Sequence, residues 1–284
     1  MKTKKLPMIK QFCFILLFFL ITGKNSAQDS SPQVELEKQS TASKQVSTFT
    51  IESPQLHTTK KIWVYLPKNY TASKKKYSVI YMHDAQNLFD KKTSYSGEWN
   101  VDEKLDSLNA QVIVIGIEHG NDKRMEELTP YKNEKYGGGK ADDYLEFIVK
   151  TLKPEIDKNY RTKPDKKHTI IMGSSLGGLT SYYAALKYPE VFGKAGVFSP
   201  SFWFSPAIYD LTKNSKKIKS RIYFLCGDNE DENTVSDLNK MEHLLNENRC
   251  YCLNLNKKKI VKGGQHNEKL WRDHFVEAVL WLGY

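Results

Sequence analysis

Residues 168–179, HTIIMGSSLGGL, place a strand, a sharp turn and a helix in one short stretch. Residues 169–172 are a short apolar run, rich in β-branched residues, of the kind that forms a buried parallel strand. Residues 173–177 then match the pattern G-x-S-x-G, and apolar residues at helical spacing follow as far as Lys187. Glycines beside Ser175 let the strand and the helix approach closely, because glycine has no Cβ atom. The stretch predicts a nucleophilic serine, Ser175, on a strained turn; a glycine-rich turn without chemistry is the alternative that the pentapeptide alone leaves open.

Residues 1–27 have the pattern of an export signal. Four lysines precede an apolar run, 12–21, that is too short to span a bilayer as a stable helix. Asn25, Ser26 and Ala27 form a small-residue end suitable for cleavage before Gln28. We expect a periplasmic or secreted protein that meets the membrane only through this signal peptide; an uncleaved anchor is the alternative.

The charge balance changes when that segment is set aside. The full chain has 43 Lys and Arg against 33 Asp and Glu, a formal net charge of +10. Five of the lysines lie in residues 1–27, so the remainder carries about +5. Mild positive charge spread over many lysines is typical of a solvated surface, and no basic motif interleaved with aromatic residues is present. Nucleic acid is therefore not an expected partner.

The remaining chain reads as one domain with a short leader. Residues 28–44 are polar and rich in Ser, Gln and Lys, which predicts a flexible segment. Residues 45–284 are long enough to bury a substantial core. Two alternating runs, 46–51 and 61–66, predict an antiparallel pair at a sheet edge. Beyond them, strands alternate with helices, which predicts an α/β fold whose mostly parallel central sheet is covered by helices on both faces. The predicted strands are 77–82, 112–117, 169–172, 195–198, 221–225 and 251–261; the main predicted helices are a stretch ending at Leu108, 141–152, a second short piece from Pro154 to about Tyr160, one after Leu179, one containing Val235 to Leu245, and 268–282.

A serine nucleophile needs a histidine base and a carboxylate that orients the histidine. Serine hydrolases built on an α/β sheet carry the three in the order serine, acid, histidine, each in a loop after a strand. His266 follows the last predicted strand in a glycine-lined loop and precedes a helix, and no other histidine of the seven combines these features. His83 and His119 also lie at strand ends, so each could line the pocket instead.

Four carboxylates compete for the role of the acid. Asp228, Glu230, Asp231 and Glu232 crowd the loop that follows the strand 221–225. One of them suffices, and the others are expected to be solvated or to begin the next helix.

Cysteines and metal-ligand spacings indicate no further chemistry. Cys226, Cys250 and Cys252 remain after removal of the signal and can form at most one internal pair, of Cys226 with Cys250 or Cys252. Neither HExxH nor a second Cys or His pair at zinc spacing occurs. We expect no metal and no organic cofactor.

Six segments together carry a resemblance that is much more specific than the pentapeptide. They are YMHDAQNLFD (81–90), RMEELTP (124–130), IDKNYR (156–161), GSSLGG (173–178), SPSFW (199–203) and GQH (264–266). From Val46 to the C-terminus the chain resembles the "putative esterase" family of α/β hydrolases, which includes the first carbohydrate esterase family, enterochelin-type siderophore esterases and S-formylglutathione hydrolases.

The resemblance implies roles for particular residues. It implies Ser175 as the nucleophile, His266 as the base and Glu230, three residues after Gly227, as the acid. It also implies that the backbone N–H groups of Leu176 and Gln86 form the oxyanion hole and that Trp203 lies close to the pocket. One position departs from the family pattern: Ala85 stands where family members often have glycine.

These observations predict an exported serine esterase that works through an acyl-enzyme. Acetyl or feruloyl esters on polysaccharide suit an exported enzyme with Trp99 and Trp203 near the site, although such aromatic residues are more often part of a core. A siderophore trilactone esterase and an acyltransferase are alternatives with the same chemistry. A hydrolase fold retained only for binding is a third, disfavoured because Ser175, His266 and the acidic loop are all present.

Overall fold

The computed structural model describes residues 39–215, 218–248 and 255–284. They are organised around one eight-stranded sheet with the strand order β1-β2-β4-β3-β5-β6-β7-β8. β1 pairs antiparallel with β2, and β2 with β4, while all other neighbours are parallel. The strands are β1 Val46–Ser53, β2 Thr58–Tyr65, β3 Ser78–His83, β4 Val112–Ile117, β5 Thr169–Ser174, β6 Lys194–Phe198, β7 Arg221–Gly227 and β8 Asn256–Val261.

Helices cover both faces of the sheet, so the predicted α/β-hydrolase architecture is confirmed. One face packs against α1 and α8, and the other against the remaining longer helices, which gives two separate hydrophobic clusters. Within the described ranges, no helix is both long and apolar enough to cross a membrane. The helices are α1 Val101–Ser107, α2 Arg124–Glu127, α3 Ala141–Glu146, α4 Lys153–Asn159, α5 Leu176–Lys187, α6 Ala207–Asn214, α7 Thr234–Glu247 and α8 Glu268–Leu282.

The central strands owe their position to their composition. β3, β4 and β5 are buried along their whole length, as expected for strands with helices on both sides. β1 consists mainly of exposed and partly buried residues, which suits a strand at the sheet edge. The carboxyl ends of β3, β5, β6 and β7 consequently lie side by side at one edge of the sheet, where ligands of open α/β sheets bind.

The helical region before β5 differs from the prediction. The sequence predicts two separate helices, but α3 continues through a π-helical segment, Phe147–Leu152, directly into α4. Pro154 lies in the first turn of α4. Proline has no N–H to donate and its ring crowds the carbonyl four residues earlier, and a wider π turn relieves both problems without ending the helix.

Residues 39–44, which belong to the segment predicted to be flexible, contact the rest of the domain. The sequence assigns residues 39–44 to a flexible segment, yet Ser40 Oγ donates a hydrogen bond to Asp90 at 2.7 Å and the backbone N–H of Ser43 donates one to Asp102, also at 2.7 Å. Polar side chains of the domain thus bind this part of the leader. The predicted signal peptide and the rest of the leader, up to residue 38, lie outside the described residues, as do Cys250 and Cys252, so the predicted cysteine pairing stays a prediction. The Cys226 thiol is buried and is bonded to no other cysteine among the described residues, and burial raises its pKa to about 12.

Close packing of α5 against β6 gives a test of this fold. A Cβ atom at position 178 would lie 2.6 Å from the carbonyl oxygen of Phe198. Gly178→Ala should therefore lower the free energy of unfolding by about 1–3 kcal/mol through overpacking, although Gly→Ala in an unobstructed helix stabilises by about 1 kcal/mol. Urea unfolding measures the difference. Leu280→Ala, at a half-exposed position of α8, is the control and should stay within about 0.5 kcal/mol of wild type; a more stable Gly178→Ala variant would contradict the packing.

Candidate active site

Ser175 occupies a strained turn between β5 and α5. Its backbone angles are φ 57° and ψ −121°, a combination that costs a non-glycine residue free energy. Two hydrogen bonds hold it there: the N–H of Ser175 donates to the carbonyl of Phe198 at 2.9 Å, and the N–H of Ser201 donates to the carbonyl of Ser175 at 3.1 Å. The turn is thereby tied to β6 and to the loop after it, as the strand-turn-helix pattern requires of an exposed nucleophile.

The glycines of the turn are required by close contacts. A Cβ atom on Gly173 would lie 2.8 Å from Cδ2 of His83 and 2.9 Å from the backbone of Gly177. Neither neighbour can move without displacing β3 or α5. The glycine pattern in the sequence therefore reflects the crossing of strand and helix beneath Ser175.

Glu230 and His266 form a hydrogen-bonded pair. Nδ1 of His266 lies 2.8 Å from Oε2 of Glu230, and the Glu230 side chain is fully buried while that of His266 is 40% exposed. This geometry leaves Nε2 as the nitrogen of His266 that is free to exchange a proton with a hydroxyl group. Of the four candidate carboxylates, Glu230 is the one that contacts His266.

The other oxygen of Glu230 is held by two donors. Oε1 accepts hydrogen bonds from Ser199 Oγ at 2.6 Å and from the N–H of Gly227 at 2.7 Å. Ser199 in turn accepts a hydrogen bond from the indole Nε1 of Trp271 at 2.8 Å, and the Trp271 ring meets the His266 ring edge to face at 5.1 Å. A buried carboxylate stays in one orientation when both of its oxygens have hydrogen-bond partners, as they do here. Sequence reasoning missed Ser199 and Trp271 as partners of the acid, although Ser199 opens one of the segments that carry the resemblance.

The three other acidic residues of that loop have different positions. Asp228 Oδ1 accepts a hydrogen bond from the N–H of Gly263 at 2.6 Å, which ties the acid loop to the loop that carries His266. Asp231 accepts from the N–H groups of Asn233 and Thr234, each at 2.7 Å, at the start of α7. Glu232 is exposed.

A second turn faces Ser175 from the end of β3. Gln86 lies in a short 3-10 helix, Ala85–Asn87, and the residue with left-handed backbone angles is Asp84, at φ 57° and ψ 46°. Ala85 itself does not need the conformation that only glycine adopts readily, so its departure from the family pattern is accommodated. Leu176 is the first residue of α5, so its N–H has no acceptor within the helix.

An ion pair holds the Asp84 turn. Nε of Arg124 donates to Oδ1 of Asp84 at 2.7 Å, and the second guanidinium nitrogen donates to Oδ2 at 2.8 Å. Burial opposes ionisation of Asp84, but the guanidinium outweighs it and lowers the pKa of the carboxyl below its ordinary value. The two parallel hydrogen bonds hold the turn in one orientation and keep the Asp84 carboxyl ionised. The sequence alone gave no indication of this role, although Arg124 opens one of the segments that carry the resemblance.

His83 has a structural role beneath the Ser175 turn and does not take part in proton transfer. Its Nδ1 lies 2.8 Å from the hydroxyl of Tyr144, and its Nε2 is buried without a hydrogen-bond partner among the described residues. Burial lowers the pKa of His83 to about 4, so the ring is neutral at pH 7.

Ser175 and His266 line one cavity of about 830 Å³ with Gln86, His119 and Trp99. The two tryptophans predicted to bind substrate have different positions relative to this cavity. Trp99 lines the cavity but is only 3% exposed and stacks on Phe198, so little of its ring is accessible. Trp203 is 52% exposed, packs edge to face on Tyr136 and is not among the residues that line the cavity.

The fold and this cavity define the class of protein. The sheet order, the strained serine after β5 and the histidine loop after β8 are those of an α/β hydrolase. The family described as "Putative esterase" matches residues 53–282, and the chain belongs to this family.

Several relatives are known by sequence. The chain is 28% identical over 235 residues to the uncharacterised protein YbbA of Bacillus subtilis, covering 77% of this chain and 90% of that protein. It is 27% identical over 183 residues to an endo-1,4-beta-xylanase/feruloyl esterase of Xylanibacter ruminicola, covering 61% of this chain and 23% of that protein. It is 32% identical over 152 residues to the ferri-bacillibactin esterase BesA of Bacillus subtilis, covering 48% of this chain and 52% of that protein.

Among solved structures, the fold is similar to that of the BES protein from Bacillus cereus. The TM-score is 0.69 at 22% identity, and the match covers 88% of this chain and 98% of that one. This likeness supports the fold.

Burial of His83 leads to a testable pH dependence. In the unfolded chain its pKa returns to about 6.5, whereas in the folded protein it is about 4. The unfolded chain therefore binds a proton that the folded chain excludes, and between pH 6.5 and pH 4 this histidine should lower the free energy of unfolding by about 3 kcal/mol. Urea unfolding at pH 7, 5.5 and 4.5 measures the total slope.

The variant His83→Asn isolates this contribution, since asparagine can still bond to Tyr144 and does not titrate. Its stability should fall less steeply than that of wild type over the same pH window. Equal slopes in the two proteins would show that His83 is not held neutral.

Proposed function

We propose that this member of the esterase family is a serine esterase that works through an acyl-enzyme, with Ser175 as nucleophile, His266 as base and Glu230 as acid. The observation that carries the proposal is the 2.8 Å contact between Glu230 and His266, on the rim of the cavity that also contains Ser175. A carboxylate on Nδ1 fixes the tautomer in which Nε2 can accept a proton.

The proposed reaction has two halves. Nε2 of His266 takes the proton of Ser175 as Oγ attacks the ester carbonyl, and the imidazolium that forms is stabilised by Glu230. The N–H groups of Leu176 and Gln86 stabilise the oxyanion of the tetrahedral intermediate. His266 then donates its proton to the leaving alcohol, and water, activated by the same histidine, releases the acid from Ser175.

For the substrate we propose acetyl or feruloyl esters on polysaccharide. The feruloyl esterase relative supports this choice, as does the ring of Tyr95, which is 94% exposed and lines the cavity. Aromatic rings at the mouth of a cavity suit planar acids and sugar rings. The relative named as a ferri-bacillibactin esterase favours a siderophore trilactone as the second candidate.

A substrate panel separates these possibilities. The purified protein is assayed with p-nitrophenyl acetate, a feruloyl methyl ester, acetylated xylan and a catecholate trilactone. A kcat/KM for the trilactone well above those for the feruloyl and acetyl esters would replace the proposed substrate class. Product analysis with and without a carbohydrate acceptor distinguishes hydrolysis from acyl transfer.

We further propose that the protein is exported, on the basis of the basic and apolar pattern of residues 1–27. Cell fractionation and N-terminal sequencing test this, and an exported chain should begin at Gln28. Recovery of the uncut chain in the cytoplasm would reject the proposal.

Removal of the nucleophile or the base tests the mechanism. Ser175→Ala and His266→Ala should each lower kcat on p-nitrophenyl acetate by about 10⁴-fold or more, and the double variant should be little slower than either, since the members of a triad act as a unit. Circular dichroism controls for folding. A fluorophosphonate probe should label Ser175 alone, and substantial turnover by Ser175→Ala would rule out the mechanism.

Glu230→Gln tests the acid with little change in shape. The amide oxygen can still accept from Ser199 and Gly227, but an amide N–H facing Nδ1 would force the wrong tautomer of His266, so kcat should fall by up to about 10⁴-fold. Matched controls are Asp228→Asn, Asp231→Asn and Glu232→Gln. Those residues bind backbone N–H groups or face solvent, so their variants should lose about 1 kcal/mol of stability or less and little turnover. If Asp228→Asn or Asp231→Asn is the crippling change, the acid is that residue.

A further inference from the structure

Three carboxylates gather at the start of α1, behind the cavity wall that contains Trp99. One oxygen from each of Glu98, Asp102 and Glu103 lies within 4.8 Å of the others. Asp102 is fully buried, Glu98 is 5% exposed, and Glu103 is partly buried. Like charges this close, removed from water, repel one another strongly unless something neutralises them.

The two oxygens of each carboxylate differ in their surroundings. One oxygen in each is hydrogen-bonded: Glu98 Oε2 accepts from Thr41 Oγ1 at 3.0 Å, Asp102 Oδ2 from the N–H of Ser43 at 2.7 Å, and Glu103 Oε1 from Asn100 Nδ2 at 3.3 Å. The other oxygens, Glu98 Oε1, Asp102 Oδ1 and Glu103 Oε2, are buried and have no hydrogen-bond partner among the described residues. Buried carboxylate oxygens are rarely left without a partner, because the desolvation penalty is large.

The described basic residues leave the three carboxylates without an ion pair. Among the described residues, no lysine or arginine forms an ion pair with any of the three carboxylates. The guanidinium of Arg272 contacts this region, but its hydrogen bond, at 2.7 Å, goes to the backbone carbonyl of Glu98.

We propose that Glu98, Asp102 and Glu103 bind a hard divalent cation, Ca²⁺, through their three unpartnered oxygens. The donor set consists only of oxygen, which Ca²⁺ and Mg²⁺ prefer, whereas zinc sites are usually built with His or Cys. Ca²⁺ accepts irregular arrangements of carboxylates completed by water, while Mg²⁺ demands a near-ideal octahedron. Sequence reasoning missed this site, because the three residues match no familiar metal-ligand spacing.

The site would hold together three parts of the chain. Thr41 and Ser43 come from the N-terminal segment, Glu98 from the loop before α1, and Asp102 and Glu103 from α1 itself. Trp99, next to Glu98, stacks on Phe198 and lines the cavity. A cation here would rigidify the cavity wall and would take no part in the ester chemistry.

Titration of the purified protein with metal tests the proposal. The protein is stripped with EDTA, exchanged into metal-free buffer and titrated with Ca²⁺, with Mg²⁺ as a parallel arm. Isothermal titration calorimetry should show one Ca²⁺ site, and Tm should rise by about 5 °C or more at a hundredfold excess over Kd. Tb³⁺, a Ca²⁺ surrogate, should show luminescence sensitised by tryptophan, and Ca²⁺ should displace it.

Glu103→Gln and Asp106→Asn form a matched pair of variants on α1. Glu103 is only partly buried, so Glu103→Gln should fold, and it should lose at least half of the Ca²⁺-induced rise in Tm and weaken Ca²⁺ binding at least tenfold. Asp106 bonds to Tyr65 outside the cluster, so Asp106→Asn should keep the full Ca²⁺ response. A Tm insensitive to both metals, or a Ca²⁺ response that Glu103→Gln leaves intact, overturns the proposal and leaves shared protons or water between the carboxylates. A response to Mg²⁺ but not to Ca²⁺ rejects calcium as the occupant.

Discussion

The hydrogen bond between Glu230 and His266 is the interaction on which the site depends. The Glu230 side chain is fully buried in the loop after β7, and its second oxygen is held by Ser199 after β6 and by the backbone of Gly227. A carboxylate fixed by two donors can offer its remaining oxygen in one direction only, and that direction is occupied by Nδ1 of His266. The Glu230 side chain thus connects the ends of β6 and β7 to the loop that precedes α8.

The site also depends on the strained backbone turn that carries Ser175. Ser175 is held at φ 57° by backbone hydrogen bonds to β6 and its following loop, and this conformation persists only because the surrounding structure determines it. His83, beneath the turn, is neutral and packs against Gly173. A charged or bulkier group at either position would separate β3, β5 and α5, so the glycines and the buried histidine serve one purpose: they let the three elements meet under the serine.

The part of the cavity wall formed by the Asp84 turn and Trp99 is organised by ion pairs and carboxylates rather than by apolar packing alone. Arg124 fixes the Asp84 turn next to Gln86, and the carboxylates around Trp99 bind the residues that precede β1. Charged side chains from distant parts of the chain therefore position the loops that would contact substrate. Polar networks of this kind define one geometry when every member is satisfied, which is why the unpartnered oxygens of the carboxylate cluster are informative.

Sequence alone determined the fold class, the strand-turn-helix around Ser175 and the order of serine, acidic loop and histidine, because periodicity and glycine spacing are local properties. It left four acids open until family spacing selected Glu230, and only the tertiary structure shows which carboxylate reaches His266, because β7 and β8 must first pair.

Tertiary structure also decided that Trp203 faces solvent and Trp99 packs in the core, that residues 39–44 bind the domain, and that Pro154 continues a helix through a π turn. Sequence reasoning missed two sets of residues. Arg124, Ser199 and Trp271 bond to side chains that are far from them in the chain. The cluster of Glu98, Asp102 and Glu103 has a spacing that matches no motif. The hydrogen bonds of Arg124, Ser199 and Trp271 exist only after folding, and the segment before β1 reaches the carboxylate cluster only in the folded chain.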